Sequence, residues 1–374
     1  MEAFRASQGK PACRCGGAGG CPVRLGNSVQ LRPKWPNQSP GWMWYKGFMK
    51  LFALKGSEIL GASVARALWT ELDPCEERDF EDGEHKARPM VSVRGEDVYV
   101  LHSLAESPGS SVNDKLCKLL FFIATCRDNG ASRVTALVPY LAYARKDRQT
   151  KARDPITTRY IAQLFEAVGT GRVVGLEVHN FAAFQNAFRC ETVHLDARRL
   201  FCPEIRSLAD SLPVVFFSPD GGGMKRVQLL KEAFEADTGL TTSFGFMEKR
   251  RSRGVVSGDL FAGDVKGAAV FIVDDMINTG GTILRAAEAC RDRGAESVHA
   301  VATHGLFGAG VEQLFESLAL DRILVTDSVA AASEAVMNFP QARIDVLPVG
   351  PLIGEAVRRL HTHGSIGDLL GMED

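Results

Sequence analysis

The stretch Val273-Asp274-Asp275-Met276-Ile277-Asn278-Thr279-Gly280-Gly281-Thr282 is the most informative part of the chain. The apolar run at residues 270–273 predicts a buried strand that ends in two carboxylates, and Thr-Gly-Gly-Thr then turns into an amphipathic helix near Ile283. Glycine lets a backbone approach a phosphate closely, and a helix N-terminus offers unpaired N–H groups and a positive dipole end. The stretch therefore predicts a phosphate-binding turn between a strand and a helix.

The side chains of this turn add chemistry to its backbone. The hydroxyls of Thr279 and Thr282 can donate to phosphate oxygens, while Asp274 and Asp275 can accept from sugar hydroxyls or hold a water-shelled Mg²⁺. The alternative is an ordinary strand–turn–helix with acids at the strand end. A single glycine-rich motif does not decide between the two, so the rest of the chain has to be considered.

Composition excludes several classes of protein. The chain has 374 residues, of which 45% are hydrophobic, enough for two domains that each bury a core. Lys plus Arg (44) nearly balances Asp plus Glu (45), so net charge gives no support for a nucleic-acid or polybasic membrane role. No apolar run is long enough to span a bilayer, and the N-terminus lacks the apolar core of a secretory signal.

The nine cysteines form no regular framework, which favours a reducing, cytoplasmic location over a disulfide scaffold. Cys13, Cys15 and Cys21 cluster near the start but lack a fourth ligand at zinc spacing, so we do not expect a metal site there. Residues 1–46 are rich in Gly, Pro and Cys without periodicity, which predicts a disordered N-terminal extension or an over-extended gene start, with Met43 and Met49 as alternative starts.

From Leu51 onward, short apolar runs alternate with amphipathic stretches, the pattern of an α/β fold. The pattern occurs twice, so we predict two related domains, 47–199 and 200–374, each a mainly parallel sheet flanked by helices. Strands are predicted at 98–102, 134–139, 173–178, 214–217, 242–246, 269–273, 297–303 and 322–326, and helices at about 113–127 and 155–168. Ligands of such sheets bind beyond the carboxyl ends of the strands.

Polar motifs occupy those positions in a fixed order. They are Phe80-Glu81-Asp82-Gly83-Glu84, Pro139-Tyr140-Leu141-Ala142-Tyr143-Ala144-Arg145-Lys146-Asp147-Arg148, Glu177-Val178-His179, Ser218-Pro219-Asp220-Gly221-Gly222-Gly223, Lys249-Arg250-Arg251-Ser252-Arg253, the Val273–Thr282 stretch and Val349-Gly350-Pro351-Leu352. From about Leu51 to the C-terminus the chain resembles the ribose-phosphate pyrophosphokinase family, which makes phosphoribosyl pyrophosphate (PRPP) on phosphoribosyltransferase-like domains. The resemblance implies transfer of the diphosphoryl group of Mg-ATP to the 1-hydroxyl of ribose 5-phosphate.

The resemblance also implies a role for each motif. ATP binding falls to Phe80, Asp82 and Glu84 around the adenine and to Arg145, Lys146, Asp147 and His179 around the phosphates. Ribose 5-phosphate falls to Asp220, Asp274, Asp275, Asn278, Thr279, Gly280, Gly281 and Thr282, and Mg²⁺ to His179 and Asp220. Lys249 and Arg251 would act as catalytic cations on a mobile flap, since phosphoryl transfer needs charge neutralised as it develops. The adenine site is often shared between subunits in this family, so a homo-oligomer, dimer or hexamer, is expected.

Each role has a plainer alternative: a turn at Phe80–Glu84, a solvated loop at Arg145–Arg148 or Lys249–Arg251, a structural histidine at His179, or a helix N-cap at Asp220. The chain also departs from the family pattern at Lys146, Glu177, Gly221 and Asn278, where the family commonly has Gln, Asp, His and Asp. A PRPP-consuming phosphoribosyltransferase would lack the Phe80 motif and the Lys249 flap. A non-catalytic regulatory subunit should lack the flap cations, and a transcriptional regulator should carry a helix-turn-helix.

Overall fold

The structure, a computed structural model, describes residues 48–252 and 255–371, without the side chains of residues 249–259. The predicted extension at residues 1–46 lies outside the described residues, as do Cys13, Cys15, Cys21 and Arg253. No helix in the described part of the chain is both long and apolar enough to cross a membrane.

The first half of the described chain forms a five-stranded parallel sheet. The strands of this half are β1 (Met49–Ala53), β2 (Cys75–Asp79), β3 (His85–Pro89), β4 (Asp97–Leu101), β5 (Arg133–Val138), β6 (Arg172–Leu176) and β7 (Glu191–Leu195). Five of them form the sheet, in the order β1-β4-β5-β6-β7, and β2 and β3 form a separate antiparallel hairpin. The helices are α1 (Glu58–Ala67), α2 (Val112–Asp128), α3 (Thr157–Ala167), α4 (Phe181–Ala187) and α5 (Arg198–Ala209). Strands β4 and β6 are buried along their whole length, as expected for parallel strands covered on both faces.

The second half forms a seven-stranded sheet. Its strands are β8 (Val214–Ser218), β9 (Ser243–Ser252), β10 (Val255–Ala262), β11 (Ala269–Ile277), β12 (Ser297–Gly305), β13 (Arg322–Thr326) and β14 (Ile344–Leu347), in the order β10-β9-β8-β11-β12-β13-β14. All pair in parallel except β10, which pairs antiparallel with β9 at the edge. The helices are α6 (Met224–Thr238), α7 (Gly281–Asp292), α8 (Glu312–Phe315), α9 (Ala330–Asn338) and α10 (Gly350–His361).

The two sheets share a buried apolar core. Tyr99 of the first sheet, Phe271 of the second and Ile353 of α10 belong to the same cluster, while each sheet has a further core on its other face. Helix α10 packs closely on α1, because a Cβ at Gly350 would lie 2.6 Å from Ser63 Cβ. The motif that begins α10 therefore uses glycine to let two helices approach each other.

A buried ionic cluster also ties α10 to the first sheet. Asp97 accepts hydrogen bonds from Arg133 Nε at 2.9 Å and Tyr99 Oη at 3.0 Å, and His361 Nδ1 lies 2.8 Å from Asp97 Oδ2. Burial alone would raise the pKa of Asp97, but the hydrogen bonds from His361 and Arg133 outweigh it and hold the pKa well below its usual range.

The α/β class with two mainly parallel sheets is confirmed, but three details of the sequence interpretation were wrong. β11 continues through Ile277, so the acids predicted to follow the strand lie on it. β6 ends at Leu176, two residues before the predicted end, so His179 lies in the turn after the strand, as Asp220 does after β8. The pattern of short apolar runs did not reveal the hairpin β2–β3 or the strands β1, β7, β10 and β14. The domain boundary at 199/200 falls within α5 and stays a prediction.

Candidate active site

A hydrogen bond between two side chains joins the carboxyl ends of the two sheets. His179, in the turn after β6, places its Nδ1 2.7 Å from Asp275 Oδ2 on β11. The Asp275 side chain is only 4% exposed, whereas that of His179 is 38% exposed. Two motifs separated by 96 positions in sequence are therefore joined by one hydrogen bond, with the imidazole on the solvent side.

Arg226, which the sequence interpretation missed, joins the same group from α6. Its Nη1 lies 3.0 Å from Asp274 Oδ1 and its Nη2 lies 3.4 Å from Asp275 Oδ1. It lies in the first turn of α6, three residues after Gly223. The signal that could have found it is its place beyond the carboxyl end of β8, the strand next to β11. We call His179, Asp274, Asp275 and Arg226 the acidic cluster.

Burial and mutual repulsion give the two carboxylates of this cluster different pKa values. Burial, together with the charge of Asp275, raises the pKa of Asp274 to about 7 despite the nearby Arg226 guanidinium. Burial would also raise the pKa of Asp275, but the hydrogen bond from His179 and the charge of Arg226 outweigh it and lower the pKa. The bond to Asp275 raises the pKa of His179 in turn. The cluster can thus keep one carboxylate ionised while its neighbour exchanges a proton near neutrality.

The predicted phosphate turn forms between β11 and α7. Gly280 has φ 74° and a Cβ there would lie 2.8 Å from Leu314 Cδ2, so both the backbone and the packing require glycine. A Cβ at Gly281 would meet no described atom, so the first turn of α7 stays open above the backbone. This is the geometry that a phosphate needs at a helix N-terminus. Thr279 is exposed and Thr282 partly exposed beside it.

A second loop supports the phosphate turn from behind. The amides of Leu306 and Phe307 donate to Ile277 O at 2.9 and 3.0 Å, and Gly308 N donates to Asn278 O at 3.0 Å. A Cβ at Gly308 would lie 3.4 Å from Asn278 Cγ and closer still to its side-chain oxygen. The amide of Asn278, at a position where the family commonly has Asp, therefore lies against Gly308 as well as being exposed to solvent.

Asp220 acts first as a local cap. Its Oδ1 accepts hydrogen bonds from Gly222 N and Gly223 N, both at 2.9 Å, at the turn that leads into α6. The capping alternative is therefore observed, and it leaves Oδ2 without a hydrogen bond among the described residues. A Cβ at Gly221 would lie 3.5 Å from Glu248 Oε1, an ordinary contact distance, so this turn lies beside the carboxylate of β9.

The loop after β5 reaches the cluster through Asp147. Asn180 Nδ2, next to His179, donates to Asp147 Oδ2 at 2.5 Å. Lys146 turns away instead, since its Nζ lies 2.6 Å from Asp154 Oδ2 and 3.0 Å from Thr150 Oγ1. Arg145 and Arg148 are exposed and form no hydrogen bond or ion pair with the described residues, so both cations remain available to a ligand.

Phe80, Asp82 and Glu84 form the tip of the β2–β3 hairpin. Phe80 N donates to Glu84 O at 2.8 Å, Glu84 N donates to Asp82 Oδ1 at 3.1 Å, and the Phe80 ring is 40% exposed beneath the Arg78 guanidinium. The turn alternative is thus observed as well. No hydrogen bond, ion pair or ring contact of the described residues joins this tip to the acidic cluster.

Lys249 and Arg251 lie on the β9–β10 hairpin, where their backbones pair with Asp259 and Val256; their side chains lie outside the described residues. β8 ends at Ser218, which pairs with Phe246, so β9 continues six residues past the carboxyl end of β8. The predicted flap is therefore the overhanging end of an edge hairpin, beside the strand next to β11.

The donor set of the site suits Mg²⁺ shared with phosphates. Within residues 48–252 and 255–371, no three His, Cys, Asp or Glu side chains are arranged to hold a metal ion. Mg²⁺ keeps several waters and is usually bound by one or two carboxylates plus substrate phosphates, so it needs no such cage. Asp220 Oδ2 and His179 Nε2 take part in no hydrogen bond of the described residues. The carboxylate oxygen is the ligand type that Mg²⁺ prefers, whereas an imidazole nitrogen suits it less well.

Comparison with known proteins covers nearly all of the described chain. A family profile for the N-terminal domain of ribose phosphate pyrophosphokinase matches residues 49–169, and a profile for the phosphoribosyl synthetase-associated domain matches residues 259–371. Ribose-phosphate pyrophosphokinase 2 of Enterococcus faecalis is 33% identical over 323 residues, which are 86% of this chain and 95% of that protein. The ribose-phosphate pyrophosphokinase of Hyphomonas neptunium is also 33% identical, over 86% of this chain and 99% of its own length.

A solved structure agrees with the sequence relatives. The crystal structure of phosphoribosylpyrophosphate synthetase from Mycobacterium smegmatis superposes with a TM-score of 0.75 at 30% sequence identity. The match covers 85% of this chain and 100% of the other chain. The similarity therefore extends over most of the described chain, including both sheets.

Proposed function

The chain belongs to the ribose-phosphate pyrophosphokinase family, and from that premise we propose that it transfers the diphosphoryl group of Mg-ATP to the 1-hydroxyl of ribose 5-phosphate. The products are 5-phosphoribosyl 1-diphosphate and AMP. The hydroxyl oxygen bonds to the β-phosphorus of ATP, the bond from that phosphorus to the α–β bridging oxygen breaks, and AMP leaves with the bridging oxygen. The full-length relationship carries the proposal, because it includes both halves of the enzyme.

The phosphate turn and the acidic cluster would bind ribose 5-phosphate. The 5-phosphate accepts hydrogen bonds from the amides at the start of α7 and from Thr279 and Thr282, where Gly280 and Gly281 allow close approach. Asp274 and Asp275 accept from sugar hydroxyls, and Arg226 fixes both carboxylates in place. Asn278 supports the turn through Gly308 and offers its exposed amide to the sugar.

Arg145, Asp147 and His179 would line the ATP-phosphate side. Arg145 is an exposed cation of its loop, while Asp147 holds the His179 turn through Asn180. Lys146 supports the loop by pairing with Asp154, so we expect it to contribute indirectly. Asp220 and His179 would hold the hydrated Mg²⁺, which supplies neutralisation of the phosphate charge when bound.

Lys249 and Arg251 would supply cations where charge develops on the transferring phosphorus oxygens. Support comes from the backbone of the β9–β10 hairpin, which overhangs the carboxyl end of the sheet beside β8. Both cations are present in this chain, which favours the enzyme over a non-catalytic regulatory subunit.

We further propose that the enzyme is a cytoplasmic homo-oligomer, either a dimer or a hexamer. The Phe80–Glu84 tip makes no described contact with the acidic cluster of its own chain, which fits an adenine site completed by a neighbouring subunit. Free thiols fit a reducing compartment. The described cysteines, all of which are free, are Cys75, Cys117, Cys126, Cys190, Cys202 and Cys290. Light scattering after size exclusion measures the assembly, and a monomer that is fully active would contradict the shared adenine site.

The decisive experiment measures AMP release from Mg-ATP with and without ribose 5-phosphate, and identifies the sugar product by ³¹P NMR. We expect AMP only with both substrates and Mg²⁺, together with the phosphorus signals of a 1-diphosphate. AMP formed without ribose 5-phosphate would contradict the proposed acceptor. Folded protein that releases no AMP would favour the regulatory subunit, and consumption of added PRPP with a purine or pyrimidine base would favour a phosphoribosyltransferase.

A further inference from the structure

His304, a buried histidine of the second sheet, reaches across to the strand that leads to His179. It lies on β12 and is 1% exposed. Its Nε2 is 3.0 Å from Leu176 O, at the last residue of β6, and its Nδ1 is 2.9 Å from Ser328 Oγ. Leu176 lies three residues before His179, so this contact ends at the base of the turn that presents the site histidine.

The two hydrogen-bond partners of His304 determine which of its ring nitrogens carries the proton. Burial lowers the pKa of His304 to about 4, so the imidazole is neutral at neutral pH and carries one N–H. A carbonyl can only accept, so Nε2 carries the hydrogen and donates to Leu176 O, while Nδ1 accepts from the hydroxyl of Ser328. The ring of Tyr140 packs against the imidazole edge-on, with the centroids 5.2 Å apart, and fixes its plane.

Ser328 is tied back to the first sheet at the other end of this contact. Ser103, just after β4, donates from its hydroxyl to Ser328 O at 2.6 Å. A chain of buried hydrogen bonds therefore runs from the first sheet through the second and back again. We call Ser103, Ser328, His304 and Leu176 the His304 bridge.

The bridge ends beside a strained turn. Glu177 has φ 42°, a left-handed conformation that costs a non-glycine residue about 1–3 kcal/mol and persists only where neighbours impose it. Val178 N donates to His194 Nε2 at 3.0 Å on one side of the turn, and Leu176 O accepts from His304 on the other. The turn is thus held between two imidazoles.

We propose that His304 is a positioning residue for the reaction, keeping His179 aligned with Asp275 across the two sheets. On β12, His304 pairs with Met276, the neighbour of Asp275. The same residue is hydrogen-bonded to Leu176, at the start of the turn that carries His179. The inference rests on the proposed function, since it assigns a role within that site. His304 itself touches no reacting atom.

The test compares His304→Leu, which removes the donor, with His304→Gln, whose side-chain N–H can still reach Leu176 O. His299 provides the matched control as His299→Leu, because it lies on the same strand, is 3% exposed and stacks on Phe271 away from the turn. Steady-state kinetics give kcat and KM for each substrate. Hydrogen exchange of peptides spanning residues 172–180 reports on the turn independently of activity.

We expect His304→Leu to lower kcat about 100-fold, the scale of a misplacement of about 1 Å, and to speed exchange in the turn. His304→Gln should restore most of both, and His299→Leu should change neither. Equal losses in His304→Leu and His299→Leu, or unchanged exchange in His304→Leu, would overturn the assignment. If His304→Leu does not fold, Ser328→Ala must show a smaller loss of the same kind or the inference fails. A wild-type protein that makes no PRPP refutes the proposed function, and the exchange data then decide the bridge alone.

Discussion

Replacing Arg226 with Met tests whether the acidic cluster binds the sugar. The substitution keeps the length of the side chain but leaves Asp274 and Asp275 without the guanidinium that now lies 3.0 and 3.4 Å from them. The Arg226 side chain is 21% exposed and that of Asp275 is 4% exposed, so this is a largely buried ion pair. Removing one partner of a buried pair costs about 3–5 kcal/mol of folding free energy.

Protonation of Asp274 should reduce that loss of folding free energy. The pKa of Asp274 is already about 7, and loss of the cation raises it further, so Asp274 becomes neutral at neutral pH. One of the two charges is thereby removed, and we expect a stability loss of about 3 kcal/mol or less. A hydrogen bond to a charged group contributes about 1 kcal/mol or more beyond a neutral one. Losing the charge of Asp274 should therefore raise the KM for ribose 5-phosphate about 5- to 30-fold.

Initial rates of AMP release, measured against each substrate in turn, give the two KM values. The KM for ATP should change little, and the KM for ribose 5-phosphate in the variant should fall as the pH is raised above about 7 and Asp274 ionises. Lys225→Met is the matched control, because Lys225 is an exposed cation on the same helix turn. A folded Arg226→Met enzyme with an unchanged KM for ribose 5-phosphate would refute the assignment of the cluster to the sugar.

Three other substitutions test separate parts of the molecule. Lys249→Ala should lower kcat by about two or more orders of magnitude with little change in either KM, since its contact should strengthen in the transition state; a loss confined to KM would make it a ground-state anchor. Asp97→Asn should lower the melting temperature at neutral pH, because the depressed pKa of Asp97 stabilises the fold above about pH 4 and that stability is lost as pH falls; a difference that does not shrink in acid would contradict this. Gly350→Ala should cost about 1–3 kcal/mol in thermal unfolding, because its Cβ would overlap Ser63; an unchanged melting temperature would show that α1 and α10 can separate.

Local chemistry made parts of the site predictable. Gly280 has a left-handed backbone, and α7 begins at Gly281, within two residues of the predicted start. Short apolar runs predicted β4, β5 and β13 almost to the residue, because parallel strands that are covered on both faces are nearly continuously apolar. Such signals lie within a few neighbouring positions and need no knowledge of the rest of the fold.

Contacts between distant segments were not predictable in the same way. Arg226 and Asp274 are 48 positions apart, and His304 and Leu176 are 128 apart, so nothing in the local pattern joins them. From the sequence alone, an arginine in the first turn of an amphipathic helix is predicted to be exposed. Its contacts with carboxylates can be inferred only once the neighbouring strand is known. The hairpin β2–β3 was missed for a related reason, because its mostly charged strands lack the apolar alternation that marks a half-buried sheet.

The departures from the family pattern have a common physical character. Lys146 has an acceptor in Asp154, Glu177 accepts from the amide of Ala197, and Asn278 lies against Gly308. In each of these three cases a neighbouring group of this chain contacts the altered residue. A change in charge without a change in shape alters affinity and metal dependence more readily than it alters which bond is formed. We therefore expect these departures to leave the transfer reaction unchanged and to alter how tightly the anionic substrates bind.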